Sequence, residues 1–84
     1  MLENLKNCSK TVGLKQTLKA VENGSAKLVF MAKDADAKVT ASVKELCLKK
    51  SIEIVYVDSM KQLGKACGID VGASTVALLE LPKG

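Results

Sequence analysis

Leu28-Val29-Phe30-Met31-Ala32 is an unbroken run of five apolar residues near the middle of the chain. A strand with one face in water alternates apolar and polar residues, whereas a continuous apolar run is typical of a strand that is covered on both faces. We therefore predict that Leu28–Ala32 is the central strand of a sheet that carries helices on both sides.

The segments on either side of this run continue the same alternation of strands and helices. Val39, Val43 and Cys47 repeat at helical spacing, and Asp34 or Asp36 can cap the helix that contains them. The remaining predicted elements are a short helix over Leu2 to Ser9, a short strand at Thr11-Val12, a helix from Gly13 to the stop at Asn23-Gly24, a strand at Ile54–Val57, a short helix over roughly Met60 to Cys67 and a strand at Thr75–Leu79, with Pro82 ending the ordered region. This order predicts an α/β fold, a three-layer α-β-α sandwich around a small mixed four-stranded sheet, in a single domain over residues 1–84.

Composition narrows the partners that the chain can recognise. The net charge is +4, and all 13 basic residues are lysine. Lysine is a point charge without the rigid fork of arginine, so this surface suits phosphate contacts better than the reading of guanine edges in a DNA major groove. Phe30 and Tyr56 are the only aromatic residues, which argues against rows of stacking platforms for single-stranded nucleic acids.

The sequence offers little for catalysis. It contains no histidine, so the usual serine–histidine and cysteine–histidine arrangements are excluded. Cys8, Cys47 and Cys67 are widely spaced, which favours reduced, mostly buried thiols over a zinc site. We expect a non-enzymatic protein without cofactor or metal. The first residues lack a long apolar segment and no run approaches membrane-spanning length, so we also expect a cytoplasmic location and no membrane contact.

The helix that starts after Gly13 has two distinct faces. Leu14, Leu18 and Val21 form an apolar stripe, while Lys15, Gln16 and Lys19 share a polar face. Gly13 stands at the start of this helix, where the unpaired N–H groups attract anions and a missing Cβ lets a large partner approach. A phosphate cradle is one interpretation. A solvated helix face is the other, and it is the commoner one.

The loop Gly68–Ala73 places apolar residues where polar ones are usual. Ile69 and Val71 either pack into the core or contact an apolar partner such as an unstacked base. The residues alone leave both alternatives open.

Three stretches, in order, resemble the kink-turn-binding ribosomal protein family: Val12–Ala20, Val29–Asp36 and Ser59–Val71. The resemblance extends from about Leu5 to Leu79 and is strongest to the small bacterial members of the YbxF type. It implies an α-β-α sandwich that binds the kink-turn, an RNA bend with a three-nucleotide bulge flanked by sheared G·A pairs. The partner it implies is structured RNA, with the ribosome as one setting. We also expect the protein to be a monomer.

The resemblance assigns roles to particular residues. The residues that would read the G·A pairs and contact phosphates are Gly13, Lys15, Gln16 and Lys19. The loop that would cover the bulged nucleotide contains Ile69, Asp70, Val71 and Gly72, and Lys61 would add a backbone contact. Lys15-Gln16 stands where archaeal members carry Asn-Glu. A glutamine accepts a hydrogen bond without the charge of a glutamate, so base reading here would depend more on lysine–phosphate contacts.

A second hypothesis belongs to another functional class. The chain would then be a protein-interaction module in a ribosome-associated complex, and its lysines would serve solubility. Salt separates the two, because phosphate contacts weaken steeply as salt rises and apolar contacts do not.

Overall fold

The computed structural model describes Leu5 and residues 8–80 of the chain. Its helices and strands are, in order, β1 (Lys10–Val12), α1 (Leu14–Glu22), β2 (Leu28–Ala32), α2 (Ala37–Lys50), β3 (Ile54–Val57), α3 (Met60–Ala66) and β4 (Thr75–Leu78). These agree with the predicted elements to within a residue or two at each end. The predicted helix over Leu2 to Ser9 and the predicted end of order at Pro82 fall largely or wholly outside the described residues; Leu5 is described and is fully buried.

The four strands form one mixed sheet in the order β1-β4-β2-β3. β2 runs parallel to β3, and β4 lies antiparallel to both β1 and β2. β2 therefore has a neighbour on each side, and all five of its residues are buried. The prediction of a central strand covered on both faces is confirmed.

The two faces of the sheet carry separate hydrophobic cores, because alternate residues of β2 point in opposite directions. Val29 and Met31 pack in the core that includes α1 and α2 residues. Leu28, Phe30 and Ala32 pack in the core that includes α3 residues and Leu5. Each large side chain that is buried in this way contributes roughly 1.5–3 kcal/mol. The chain is thus a three-layer α-β-α sandwich.

The ends of the helices follow from local sequence. Asp36 caps α2 by accepting a hydrogen bond from the Lys38 N–H at 2.8 Å. Lys49 and Lys50 occupy the last turn of α2, where the helix dipole favours positive charge. Ser59 caps α3 through the Gln62 N–H at 3.1 Å. Gly24 ends the turn after α1 with a φ of +77°, a conformation that glycine adopts without strain.

Candidate functional site

The starts of α1, α2 and α3 lie at one end of the sheet. Register pairs Val12 with Val76 and Ala32 with Val57, so the carboxyl ends of β1, β2 and β3 meet the amino end of β4. The loops that leave these strands, together with α1, form what we call the carboxyl-end surface: Gly13–Lys19, Lys33–Asp36, Asp58–Lys61 and Gly68–Ser74. Ligand sites in α/β proteins commonly lie at this end of a sheet.

Gly13 joins the start of α1 to β4. Its N–H donates to the Thr75 carbonyl oxygen at 2.9 Å, and its own carbonyl accepts from the Thr17 N–H at 3.0 Å. The backbone at Gly13 has φ 100° and ψ 163°, a region that is essentially restricted to glycine. A Cβ there would meet no atom within 4 Å, so the space in front of the first turn is open. Gly13 also provides no side-chain cap for α1.

The two predicted faces of α1 are confirmed. Lys15, Gln16 and Lys19 are exposed, and Val21 is fully buried. Sequence reasoning missed Thr17, which is fully buried and whose hydroxyl accepts a hydrogen bond from the Thr75 hydroxyl at 3.1 Å. Thr17 lies one helical turn before Val21, so spacing alone places it on the apolar face of α1.

Asp34 has a different role from the capping of α2 that was considered for it. Its carboxylate accepts a hydrogen bond from the Met60 N–H at 2.8 Å, which ties the loop after β2 to the start of α3. Helical spacing alone predicts Met60, Leu63 and Cys67 on the inner face of α3, and for Met60 this prediction is wrong. Leu63 and Cys67 are buried, whereas Met60 is 36% exposed. It lies instead beside Gly72, at the rim of the carboxyl-end surface.

The loop after α3 divides into buried flanks and an exposed middle. Ile69 is half-buried against the core and Ala73 is buried. Asp70 and Gly72 are exposed, and the Val71 side chain is 70% exposed. The loop is therefore mixed: Ile69 takes part in the core, whereas Val71 projects away from it.

The carboxyl-end surface carries four lysines and four aspartates, so its formal charges balance and the positions of its lysines decide what they can contact. Asp34 and Asp36 accept backbone hydrogen bonds, and Asp58 lies 3.5 Å from the Lys33 ammonium in an exposed ion pair. Pairs of this kind contribute little because water screens them. Among the residues that the structure describes, the exposed side chains of Lys15, Lys19 and Lys61 form no ion pair. These three cations are available to an anionic partner.

The three cysteines are not part of the carboxyl-end surface. Burial raises the pKa of the Cys47 thiol, and burial raises that of Cys67 too, with a smaller opposing effect from the Lys10 ammonium. All three cysteines are free. Within Leu5 and residues 8–80, no three His, Cys, Asp or Glu side chains are arranged to hold a metal ion. None of the helices described is long and apolar enough to cross a membrane.

Most of the predicted site residues come together at the carboxyl-end surface. Gly13 is bonded to Thr75, and Ala73 donates from its N–H to the Met60 carbonyl oxygen at 2.9 Å. The start of α1, the loop after α3 and the first turn of α3 with Lys61 are thus neighbours through β4. Lys19 lies farther along the exposed face of α1.

Comparison with known proteins gives consistent matches over nearly the whole chain. A relative from Caldanaerobacter subterraneus subsp. tengcongensis, described as an RNA-binding protein, is 56% identical over 68 residues, which are 81% of this chain and 83% of that one. The RNA-binding protein YbxF of Geobacillus stearothermophilus is 44% identical over 68 residues, with the same coverage of 81% and 83%.

Solved structures show the same fold. The Giardia lamblia 15.5kD RNA binding protein superposes with a TM-score of 0.85 at 27% identity, over 99% of this chain and 71% of that one. A Bacillus halodurans protein of unknown function superposes with a TM-score of 0.87 at 24% identity, over 94% and 83% of the two chains. The ribosomal protein L7Ae/L30e/S12e/Gadd45 family matches residues 4–82, and this chain belongs to that family.

Proposed function

We propose that this protein binds structured RNA through the carboxyl-end surface and recognises the kink-turn. The observation that carries the proposal is the junction of an open helix start, which has no side-chain cap, with a loop that exposes the apolar side chain of Val71. Gly13 and the loop residues 72–74 are neighbours through the Gly13–Thr75 hydrogen bond. The names of the relatives and the RNA-binding Giardia protein support RNA as the partner.

Each half of the junction has a distinct task in this proposal. The first turn of α1 presents N–H groups and the Lys15 ammonium to phosphate oxygens. Gln16 hydrogen-bonds the sheared G·A pairs, and Lys19 and Lys61 add phosphate contacts. The open space at Gly13 admits the RNA close to the backbone.

The loop provides the second task. Asp70, Val71 and Gly72 would cover the bulged nucleotide, with Ile69 holding the loop to the core. An exposed valine gains about 1–2 kcal/mol when its surface is buried, and an unpaired base offers a flat apolar surface for that purpose. RNA proteins commonly recognise bulged nucleotides in this manner.

We also propose that the chain acts as a non-enzymatic monomer in the cytoplasm, as a single kink-turn-binding domain over residues 1–84, in association with the ribosome. The family description, which names ribosomal proteins, supports the last point. One protein per RNA in native mass spectrometry is the expected stoichiometry.

The test compares three RNAs in one titration series: a kink-turn, the same sequence without the three-nucleotide bulge, and a plain duplex of equal length. We expect the tightest binding to the kink-turn and a steep loss of affinity as salt rises. Equal affinity for all three RNAs would refute kink-turn recognition. If none of the three RNAs binds in a salt-dependent manner, RNA binding is refuted and the protein-interaction hypothesis is favoured.

A further inference from the structure

The loop after α3 lies directly on the backbone of α3 at Gly64. A Cβ built at Gly64 would collide with the Val71 carbonyl oxygen and would lie 3.0 Å from the Val71 carbonyl carbon. Both obstacles are backbone atoms, which cannot rotate away as a flexible side chain can. Any residue larger than glycine at position 64 would therefore push the loop outward.

The dihedral angles of Gly64 do not explain why glycine is present. Gly13, Gly24 and Gly68 have positive φ angles, and Gly64 does not. Gly64 is a residue of α3, where glycine costs about 1 kcal/mol of helix stability relative to alanine. The close approach of Val71 is the feature that requires glycine there.

Two backbone hydrogen bonds hold the flanks of the loop to the same helix. The Ile69 N–H donates to the Gly64 carbonyl oxygen at 3.1 Å, and the Ala73 N–H donates to the Met60 carbonyl oxygen at 2.9 Å. Between these two hydrogen bonds, the contact of the Val71 peptide with Gly64 sets the distance of the loop from the backbone of α3. With the loop in this position, Val71 is 70% exposed.

We propose that Gly64 is a positioning residue for RNA discrimination: it sets the position of Val71 and thereby the preference for RNA with an extruded nucleotide. This inference rests on the proposed function. Gly64 is buried and makes no contact with RNA itself. Its effect should be confined to the bulge, because α1 carries Lys15, Gln16 and Lys19 on a separate element.

The experiment measures Gly64→Ala against the kink-turn RNA and the same RNA without its bulge. We expect a loss of about five- to thirtyfold on the bulged RNA, the contribution of the valine surface that would be buried there. Affinity for the RNA without the bulge and the slope of log K against log salt should both stay at the parent values. Gly24→Ala is the matched control, because it strains a positive φ without a nearby atom to displace. It should lower the melting temperature and leave the ratio of the two affinities unchanged.

Equal losses on both RNAs, or a parent-like affinity ratio in Gly64→Ala, would overturn the proposal. Should Gly64→Ala fail to fold, Gly72→Ala provides a milder displacement, since its Cβ would lie 3.1 Å from the Met60 Cβ. It should lose a smaller factor on the bulged RNA alone. Because Gly72 itself belongs to the proposed contact loop, the variant is also measured in a Val71→Ala background, where it should cause no further loss if it acts by displacing Val71. A parent-like ratio, or an undiminished loss in the Val71→Ala background, would overturn the proposal. A parent protein that does not prefer the bulged RNA refutes the proposed function itself. If the parent protein prefers the bulged RNA and the variants show the same preference, only the role of Gly64 is refuted.

Discussion

Neighbouring residues of α1 meet opposite environments, and this contrast defines the candidate site at the scale of single side chains. Thr17 is buried and bonded to Thr75, whereas Gln16 is exposed. A helix turns about 100° per residue, so a residue that is held inward fixes where its neighbour points. The Thr17–Thr75 bond thereby directs Gln16 toward solvent at the start of α1.

If Gln16 reads a G·A pair, Gln16→Ala should weaken binding to the kink-turn by about 1–3 kcal/mol. The loss on a plain duplex should be small, because no sheared pair is present there. Titration of both RNAs measures the difference. Gln62→Ala, a change of the same type at an exposed position outside the proposed contacts, should bind both RNAs like the parent. Equal losses on the two RNAs in Gln16→Ala would remove its role in discrimination.

The cysteines provide a test of burial that is independent of RNA. Cys8 is half-buried, while Cys47 and Cys67 are buried, and burial raises the pKa of both buried thiols. At pH 8 we expect an alkylating reagent to modify Cys8 first. The other two should react only through unfolding, slower by about a thousandfold or more in a domain of ordinary stability.

Mass spectrometry of timed samples gives the order of modification, and urea-unfolded protein gives the control in which all three cysteines react together.

The raised pKa values of Cys47 and Cys67 also affect how the stability of the protein depends on pH. The folded state holds these protons more tightly than the unfolded state, so their contribution is complete below pH 9 and decreases as pH rises above it. Rapid modification of Cys47 in the folded protein would contradict the buried assignment.

At the scale of elements, the strands and helices were largely predictable because each has its own periodicity. The apolar run Leu28–Ala32 and the helical spacing of Val39, Val43 and Cys47 are local patterns, and the structure has both elements where they were predicted. The position of Met60 was not predictable in this way. Its exposure depends on which distant segments cover the first turn of α3, and Gly72, which lies against it there, has no side chain to cover it.

Substitutions in the loop after α3 should distinguish an effect on folding from an effect on RNA binding. Val71 is 70% exposed, so Val71→Ala should change the free energy of unfolding by no more than about 0.5 kcal/mol. It should still weaken binding to the bulged RNA, because the apolar area that would cover the nucleotide is lost. Ile69 is half-buried against the core, so Ile69→Ala should cost about 1–2 kcal/mol of stability and show an intermediate effect on binding.

Melting curves and titrations on each variant, with RNA that contains or lacks the three-nucleotide bulge, measure both quantities. The two RNAs act as internal controls for general damage. A Val71→Ala protein that melts far below the parent, and whose folded fraction binds normally, would show that this residue is structural.

At the scale of the whole molecule, the sequence does not reveal how the site is assembled. β4 is the last of the described strands, yet it lies between β1 and β2, and this insertion brings Thr75 against Gly13. No local pattern in residues 75–78 specifies those neighbours, because strand order depends on tertiary packing. The family resemblance, rather than periodicity, predicted that the start of α1 and the distant loop act together.

The distribution of charge over the molecule leads to the last prediction. The chain carries a net charge of +4 from lysines spread along the sequence, so total charge alone would attract RNA without regard to position. Contacts at the carboxyl-end surface predict a local effect instead. Lys15→Ala and Lys19→Ala should each leave the fold intact, since both side chains are exposed. Each should flatten the slope of log K against log salt by roughly 0.7–0.9, the value for one phosphate contact.

Lys27→Ala is the matched control for this prediction. Lys27 is an exposed lysine at the amino end of β2, opposite the carboxyl-end surface, and its loss changes the net charge by the same amount. A slope that stays at the parent value in Lys27→Ala and falls in the two α1 variants would locate the phosphate contacts on α1. Equal slopes in all three variants would mean that the lysines act through net charge alone, and the exposed face of α1 would then be an ordinary solvated helix face.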